Sequence, residues 1–112
     1  MTDRVCIHSK GAEKPHISAD DLLSCCGGCG FGCGGGFPPS AWRYFEDTGI
    51  VTGGQYNSNQ GCRPYEVASC DHHVKGHRPP CGPDVETPQC KQKCIAGECM
   101  HEILQGSQTF QL

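Results

Sequence analysis

The stretch CCGGCGFGCGGG, residues 25–36, decides how this chain is read. Every residue in it except Phe31 is glycine or cysteine, so it has neither helix propensity nor a periodic apolar face. It is loop, and sulfur chemistry must hold it. The whole chain shares the bias: 112 residues carry 11 Cys, 16 Gly and 8 Pro. Leu, Ile, Val and Phe together number only 18, about 16%, below the roughly 20% that promises a self-sufficient apolar core. Disorder is the usual reading of so lean a composition. It does not suit a net charge of −3 combined with about 10% Cys, a content typical of disulfide scaffolds and metal modules. Cross-links stand in for a core.

Outward from this loop, the chain is short and its regular elements are few. On the N-terminal side, Ser18-Ala-Asp-Asp21 has the spacing of a helix start, with a capping hydroxyl and carboxylates at the positive helix end. A helix is predicted over 18–24, halted by the glycines. On the C-terminal side, Pro38 and Pro39 open a second helix, predicted over 39–48, with Ala41, Trp42 and Phe45 on one face and Gly49 placed to end it. The segment from Asp3 to His8 reads as a helix end or a strand with Val5 and Ile7 inward. Beyond Val51 the sequence is rich in turn residues, and the tail 95–112 carries few structural cues. No run approaches the ~18–20 apolar residues of a membrane span, and Met1 to Lys14 lacks the apolar core of a secretory signal. Nine scattered Lys and Arg give no surface for tracking phosphates, which argues against nucleic acid. Six His could carry the formal charge from −3 to positive values in acid.

Two chemistries use this much sulfur. Disulfides suit the count, with an odd thiol left over; zinc would use C-x2-C at Cys26 and Cys29 and the histidines beside Cys70. The most informative unit is CDHHVKGHRPPC, residues 70–81. A bridge closing a loop of this size restricts the unfolded chain by somewhat under about 3 kcal/mol, and Pro79-Pro80 stiffens one limb. The product is a projecting loop that presents His72, His73, His77, Lys75 and Arg78 as a cationic tip in acid, suited to a carboxylate.

These motifs resemble the cathepsin B branch of the papain family of cysteine peptidases. The likeness rests on DRVCIH, ISADDLLSCCGGCGFGCGGGFPPSAW, GCRPYEVASCDHHVKGHRPPC and ETPQCKQKC, and runs from about Asp3 to Cys94. It implies an α+β papain-like fragment, disulfide-rich and mostly loop with two short helices. That partial peptidase domain covers 3–94, its occluding loop about 62–81, and a divergent tail covers 95–112. The resemblance further implies the bridges Cys26–Cys29, Cys25–Cys90, Cys62–Cys94 and Cys70–Cys81, and leaves Cys6 and Cys33 as orphan thiols. Gly35 and Gly36 are similar to glycines whose backbone pairs with extended substrate, and Phe37 and Pro38 to residues lining the second specificity pocket. His73 matches a histidine that binds the substrate's terminal carboxylate, His72 one that pins the loop, and Arg78 a second anchor. The family has Asn where this chain has Gly34, and Cys99 has no counterpart.

Papain-type hydrolysis needs a thiolate, a His that activates it and an Asn that orients the His. No Cys here precedes Trp or Tyr, as the nucleophile's C-G-[SA]-C-[WY] context requires, and the resemblance implies a His and Asn well over a hundred residues downstream of that Cys, so none of the three catalytic groups is expected in these residues. The implied parent activity is thiol-dependent hydrolysis of peptides, including removal of C-terminal dipeptides, in a lysosomal or secreted enzyme that takes peptide or protein substrates and no cofactor. The chain by itself is expected to be inactive, with an exposed apolar face around Trp42 and Phe45. The competing reading is a cysteine- and histidine-rich binding or zinc-binding module without catalysis.

Overall fold

The computed structural model describes residues 1–91, 93 and 94. Three helices carry the fold. Helix α1 spans Thr2–His8, α2 spans Ala19–Cys25, and α3 spans Pro38–Asp47, with a 3-10 turn at Gly32–Gly34 between the last two. The two helices anticipated from the sequence lie within about a residue of their expected bounds. Ser18 caps α2 as its spacing suggests, its hydroxyl accepting from Asp21 N at 3.0 Å. Helix α3 begins on its two prolines and ends before Gly49, whose φ of 86° is open to glycine at little cost.

Helix α1 corrects the pairing of Val5 with Ile7. Residues two apart stand about 200° apart around a helix and cannot share a face. Val5 is buried and Ile7 is 70% exposed. Phe45, expected at the surface, is also fully buried, joining Val5 and Ile50 in a small apolar core against Met1, Ile17, Leu22 and Tyr44. Trp42 alone keeps the outward position, with the Arg4 guanidinium 6.0 Å from its ring centroid.

The β content is three isolated bridges among the described residues, Ile17 with Thr52, Gly30 with Gly36, and Asp71 with Pro80. Around the first, three extended segments lie side by side: Ser18 N bonds Val51 O, Gly53 N bonds His16 O, Arg63 N bonds Thr52 O and Tyr65 N bonds Gly54 O. Gly53 lies between them because a Cβ there would meet both Ser18 and the Arg63 carbonyl.

Much of the interior among the described residues is polar. Ser18, Asp20, Asp21 and Arg63 are all buried. The Arg63 guanidinium pairs with Asp20 Oδ2 at 2.9 Å and also donates to Lys91 O at 3.0 Å and Cys25 Sγ at 3.2 Å, while its Nε–H is buried without a partner. Asp20 Oδ1 accepts from Glu66 N at 3.2 Å, the Ser18 hydroxyl donates to Arg63 O at 2.7 Å, and Asp21 Oδ2 accepts from Val51 N at 3.0 Å. Four bridges complete the frame. Cα atoms stand 4.7 Å apart in Cys25–Cys90, 5.4 Å in Cys26–Cys29, 4.5 Å in Cys62–Cys94 and 5.0 Å in Cys70–Cys81. Cys25–Cys90 spans 65 residues of sequence, a closure worth roughly 4 kcal/mol in the chain-entropy view. Cys6 is half-buried and Cys33 exposed, both unbridged, whereas Cys99 and the tail 95–112 lie outside the described residues.

Replacing Asp20 by Ala leaves the buried Arg63 charge with only the longer 3.5 Å contact to Glu66, and the expected loss is about 3 kcal/mol, read from denaturant midpoints. Burial pushes the Asp20 carboxyl above its ordinary value, and the neighbouring Glu66 carboxyl adds to this against the opposing pull of the Glu66 N–H and Arg63. A carboxyl raised in the folded state stabilises that state at pH below its unfolded value and loses this contribution as pH rises through the folded value. Stability of the native protein is therefore expected to gain more on acidification from neutral pH than that of Asp20→Asn; parallel profiles of the two would contradict this.

Candidate functional site

The glycine-rich loop folds into a tight hairpin because nothing else fits. Phe31 N bonds Gly35 O at 2.8 Å and Phe37 N bonds Cys29 O at 2.7 Å, which places Gly30 opposite Gly36 as a pair that exchanges no hydrogen bond of its own. A Cβ on Gly30 would run into the Gly36 backbone, and one on Gly36 into the Cys29 carbonyl. Gly35 has open space around it but a φ of 110°, so its requirement is conformational. In such a pair the N–H and C=O of Gly36 turn away from the hairpin, the orientation by which an exposed strand edge takes up an extended peptide.

Beside this edge lies an open groove of about 440 Å³. Gly35, Gly36, Phe37 and Pro38 form one side, and Leu22, Leu23 and Ala41 from α2 and α3 supply an apolar floor. Phe37 is 56% exposed and meets Phe31 edge-on at 6.1 Å between ring centroids. The wall is tied to the far end of the chain at Thr87, whose hydroxyl accepts from Cys33 N at 3.1 Å and leaves Gly32 no room for a Cβ. A separate cavity of about 320 Å³ is lined by Tyr44, Thr48, Arg63, Lys91 and Lys93. The Arg63 and Lys91 charges are already matched by Asp20 and Glu66. Burial pushes the Tyr44 phenol up there, with Asp21 adding to the effect.

The second candidate unit is the loop closed by Cys70–Cys81. His72, His73, His77, Lys75 and Arg78 are all exposed on it. The rings of His72 and His73 are 3.9 Å apart between centroids, inclined by 63°. His73 holds a left-handed φ of 60°, uncommon for a residue with a side chain. Arg78 is fastened through its backbone N–H, which donates to Asp71 Oδ2 at 3.0 Å, rather than through its guanidinium. Among the described residues no ion pair engages the three histidines or Arg78, and no hydrogen bond joins them to the glycine wall. The structure thus gathers Gly35, Gly36, Phe37 and Pro38 in one groove and the histidines on a separate tip.

Eight cysteines are spent in bridges. Cys26 and Cys29 bond each other, so the C-x2-C pair has no thiolates to offer zinc. Neither free thiol, Cys6 nor Cys33, hydrogen-bonds a histidine among the described residues. The sequence places Asp20 only at the start of α2 and does not single out Arg63, Thr87 or Asp71; the partners of all four come from the fold.

The sequence profile of the "Papain family cysteine protease" matches residues 1–109. A cathepsin B-like cysteine proteinase of Schistosoma japonicum is 53% identical over 98 residues, 87% of this chain and 29% of that protein. Cathepsin B-like cysteine proteinase 6 of Caenorhabditis elegans is also 53% identical over 98 residues, 86% of this chain and 26% of its own length. The solved structure of proCathepsin B S9 from Trypanosoma congolense superposes with a TM-score of 0.59 at 37% identity, over 84% of this chain and 25% of its own. The chain therefore spans just over a quarter of the curated relatives it matches.

Gly36→Ala is expected to force the hairpin open at a cost of about 1–3 kcal/mol, seen as faster amide exchange at Phe31 and Phe37. Gly27→Ala, which meets open space, is the control and should leave both amides unchanged.

Proposed function

The chain belongs to the papain family of cysteine proteases, and from that premise we propose that it is the substrate-recognition portion of a cathepsin B-like peptidase. Its glycine edge pairs with the backbone of an extended peptide, its apolar groove takes a substrate side chain, and its stapled loop receives the peptide's terminal carboxylate. The observation that carries this reading is the outward-turned N–H and C=O of Gly36 beside the groove formed with Phe37, Pro38, Leu22 and Ala41.

The parent reaction is hydrolysis of peptide bonds, with release of C-terminal dipeptides. Gly35 and Gly36 align the substrate main chain, and Phe37 and Pro38 shape the pocket beside it. His73 binds the terminal carboxylate, with His72 and Arg78 anchoring the loop against the enzyme body. The nucleophile and its His and Asn partners come from parts of the peptidase domain other than these residues. This is supported by the absence, among the described residues, of a thiol hydrogen-bonded to an imidazole. Four bridges favour an oxidising route of biosynthesis, and a lysosomal or secreted site of action accords with them.

At pH 5 the protein is expected to bind an N-acetylated dipeptide bearing a free C-terminal carboxylate more tightly than its amide. That preference should vanish in His73→Gln. The purified chain is expected to hydrolyse neither compound; hydrolysis that a thiol alkylator abolished would contradict the assignment of the nucleophile elsewhere.

A further inference from the structure

Besides the Cys70–Cys81 bridge, contacts at Asp71 close the histidine loop. Asp71 N donates to Pro79 O at 2.8 Å, and Cys81 N donates to Asp71 O at 3.1 Å, so the two limbs close on Asp71 as a parallel bridge with Pro80. Its carboxylate reaches across the loop to accept from Arg78 N at 3.0 Å. Gly76 lies so close beneath that carboxylate that a Cβ there would strike Oδ2. Between these fixtures residues 72–77 make no backbone hydrogen bond among the described residues. The left-handed turn at His73 therefore has no local support. A strained backbone of this kind persists only where its surroundings over-determine it, and here the surroundings are the Cys70–Cys81 bridge and the contacts of Asp71.

The second consequence is electrostatic. Asp71 directly precedes the histidine pair, yet its carboxylate forms no ion pair with His72, His73 or His77 among the described residues, being engaged by the Arg78 N–H. A carboxylate freed at this position could reach the adjacent imidazoles and compete with an incoming carboxylate for them. The same hydrogen bond thus fixes the loop and removes an internal competitor.

We propose that Asp71 is the positioning residue of the carboxylate-receiving loop: it holds His73 in its left-handed pose and keeps its own carboxylate away from the imidazoles. This rests on the reading of His73 as a carboxylate receptor. Neither an aspartate before two histidines nor a glycine at 76 declares that role in the sequence; the convergence of three hydrogen bonds on Asp71 does.

The test is an NMR titration of the full chain at pH 5 with an N-acetylated dipeptide acid and its amide, after mass spectrometry has shown the Cys70–Cys81 bridge intact in each variant. Asp71→Ala is expected to weaken acid binding at least threefold and to lose the backbone coupling that marks the left-handed His73. Asp71→Asn, whose amide oxygen can still accept from Arg78 N–H, is expected to retain both. Gly76→Ala, which displaces the carboxylate, should follow Asp71→Ala. Unchanged acid binding and His73 coupling in Asp71→Ala would overturn the inference while leaving the receptor reading intact. A native protein that bound acid and amide alike would overturn the receptor reading, and this inference with it.

Discussion

The ion pair between Arg63 and Asp20 is the constraint on which the other parts of the structure depend. Both side chains are essentially out of contact with solvent, at 2% and 0% exposure. A buried pair of this kind adds little net stability compared with an apolar contact, but separating its members is costly, so it specifies which segments meet. Here it fastens α2 to the segment 63–66, and through Lys91 O and Cys25 Sγ it reaches the stretch that carries Cys90. Among the described residues the fully buried apolar cluster is just Val5, Phe45 and Ile50, so the polar junction carries much of that choice.

The two functional units hang from this junction in different ways. The glycine wall leaves α2 immediately after Cys25, so its position follows from the helix that Asp20 holds. Cys25–Cys90 and the Cys33–Thr87 hydrogen bond then fix it from the other side. The histidine loop begins four residues after Glu66, whose N–H is bound to Asp20. Its shape, however, is set internally by Cys70–Cys81 and Asp71. The wall is thus rigid by attachment and the loop by its own closure. That division suits the proposed recognition surface, with a main-chain edge on one side and the histidine loop on the other.

How much of this was legible in the sequence depends on the range of the interaction. Short-range signals were readable: Ser18 as a cap, the prolines at 38 and 39 opening α3, Gly49 closing it, and residues 25–36 as loop. Each depends on neighbours within a few positions. The pairing of cysteines was legible only through family resemblance, since spacing alone left zinc open. Helix α1 was half-read because alternation at Val5 and Ile7 imitates a strand over so short a window. Arg63 and Asp20 were invisible because their meeting spans 43 residues, and a charged residue in a helix start or a turn reads first as a solvated one. The outward-turned backbone of Gly36 required the hairpin register, which no composition rule supplies.

Amide hydrogen exchange at Glu66, whose N–H donates to the buried Asp20 carboxylate, tests this account most directly. If the Arg63–Asp20 junction organises the fold, that amide is protected as strongly as Val51 N–H, which donates to Asp21 in the same polar interior, and far more strongly than the amides of 72–77. Exchange at Glu66 as fast as in the 72–77 loop, with all four bridges intact, would show that the disulfides hold the chain without the ion pair.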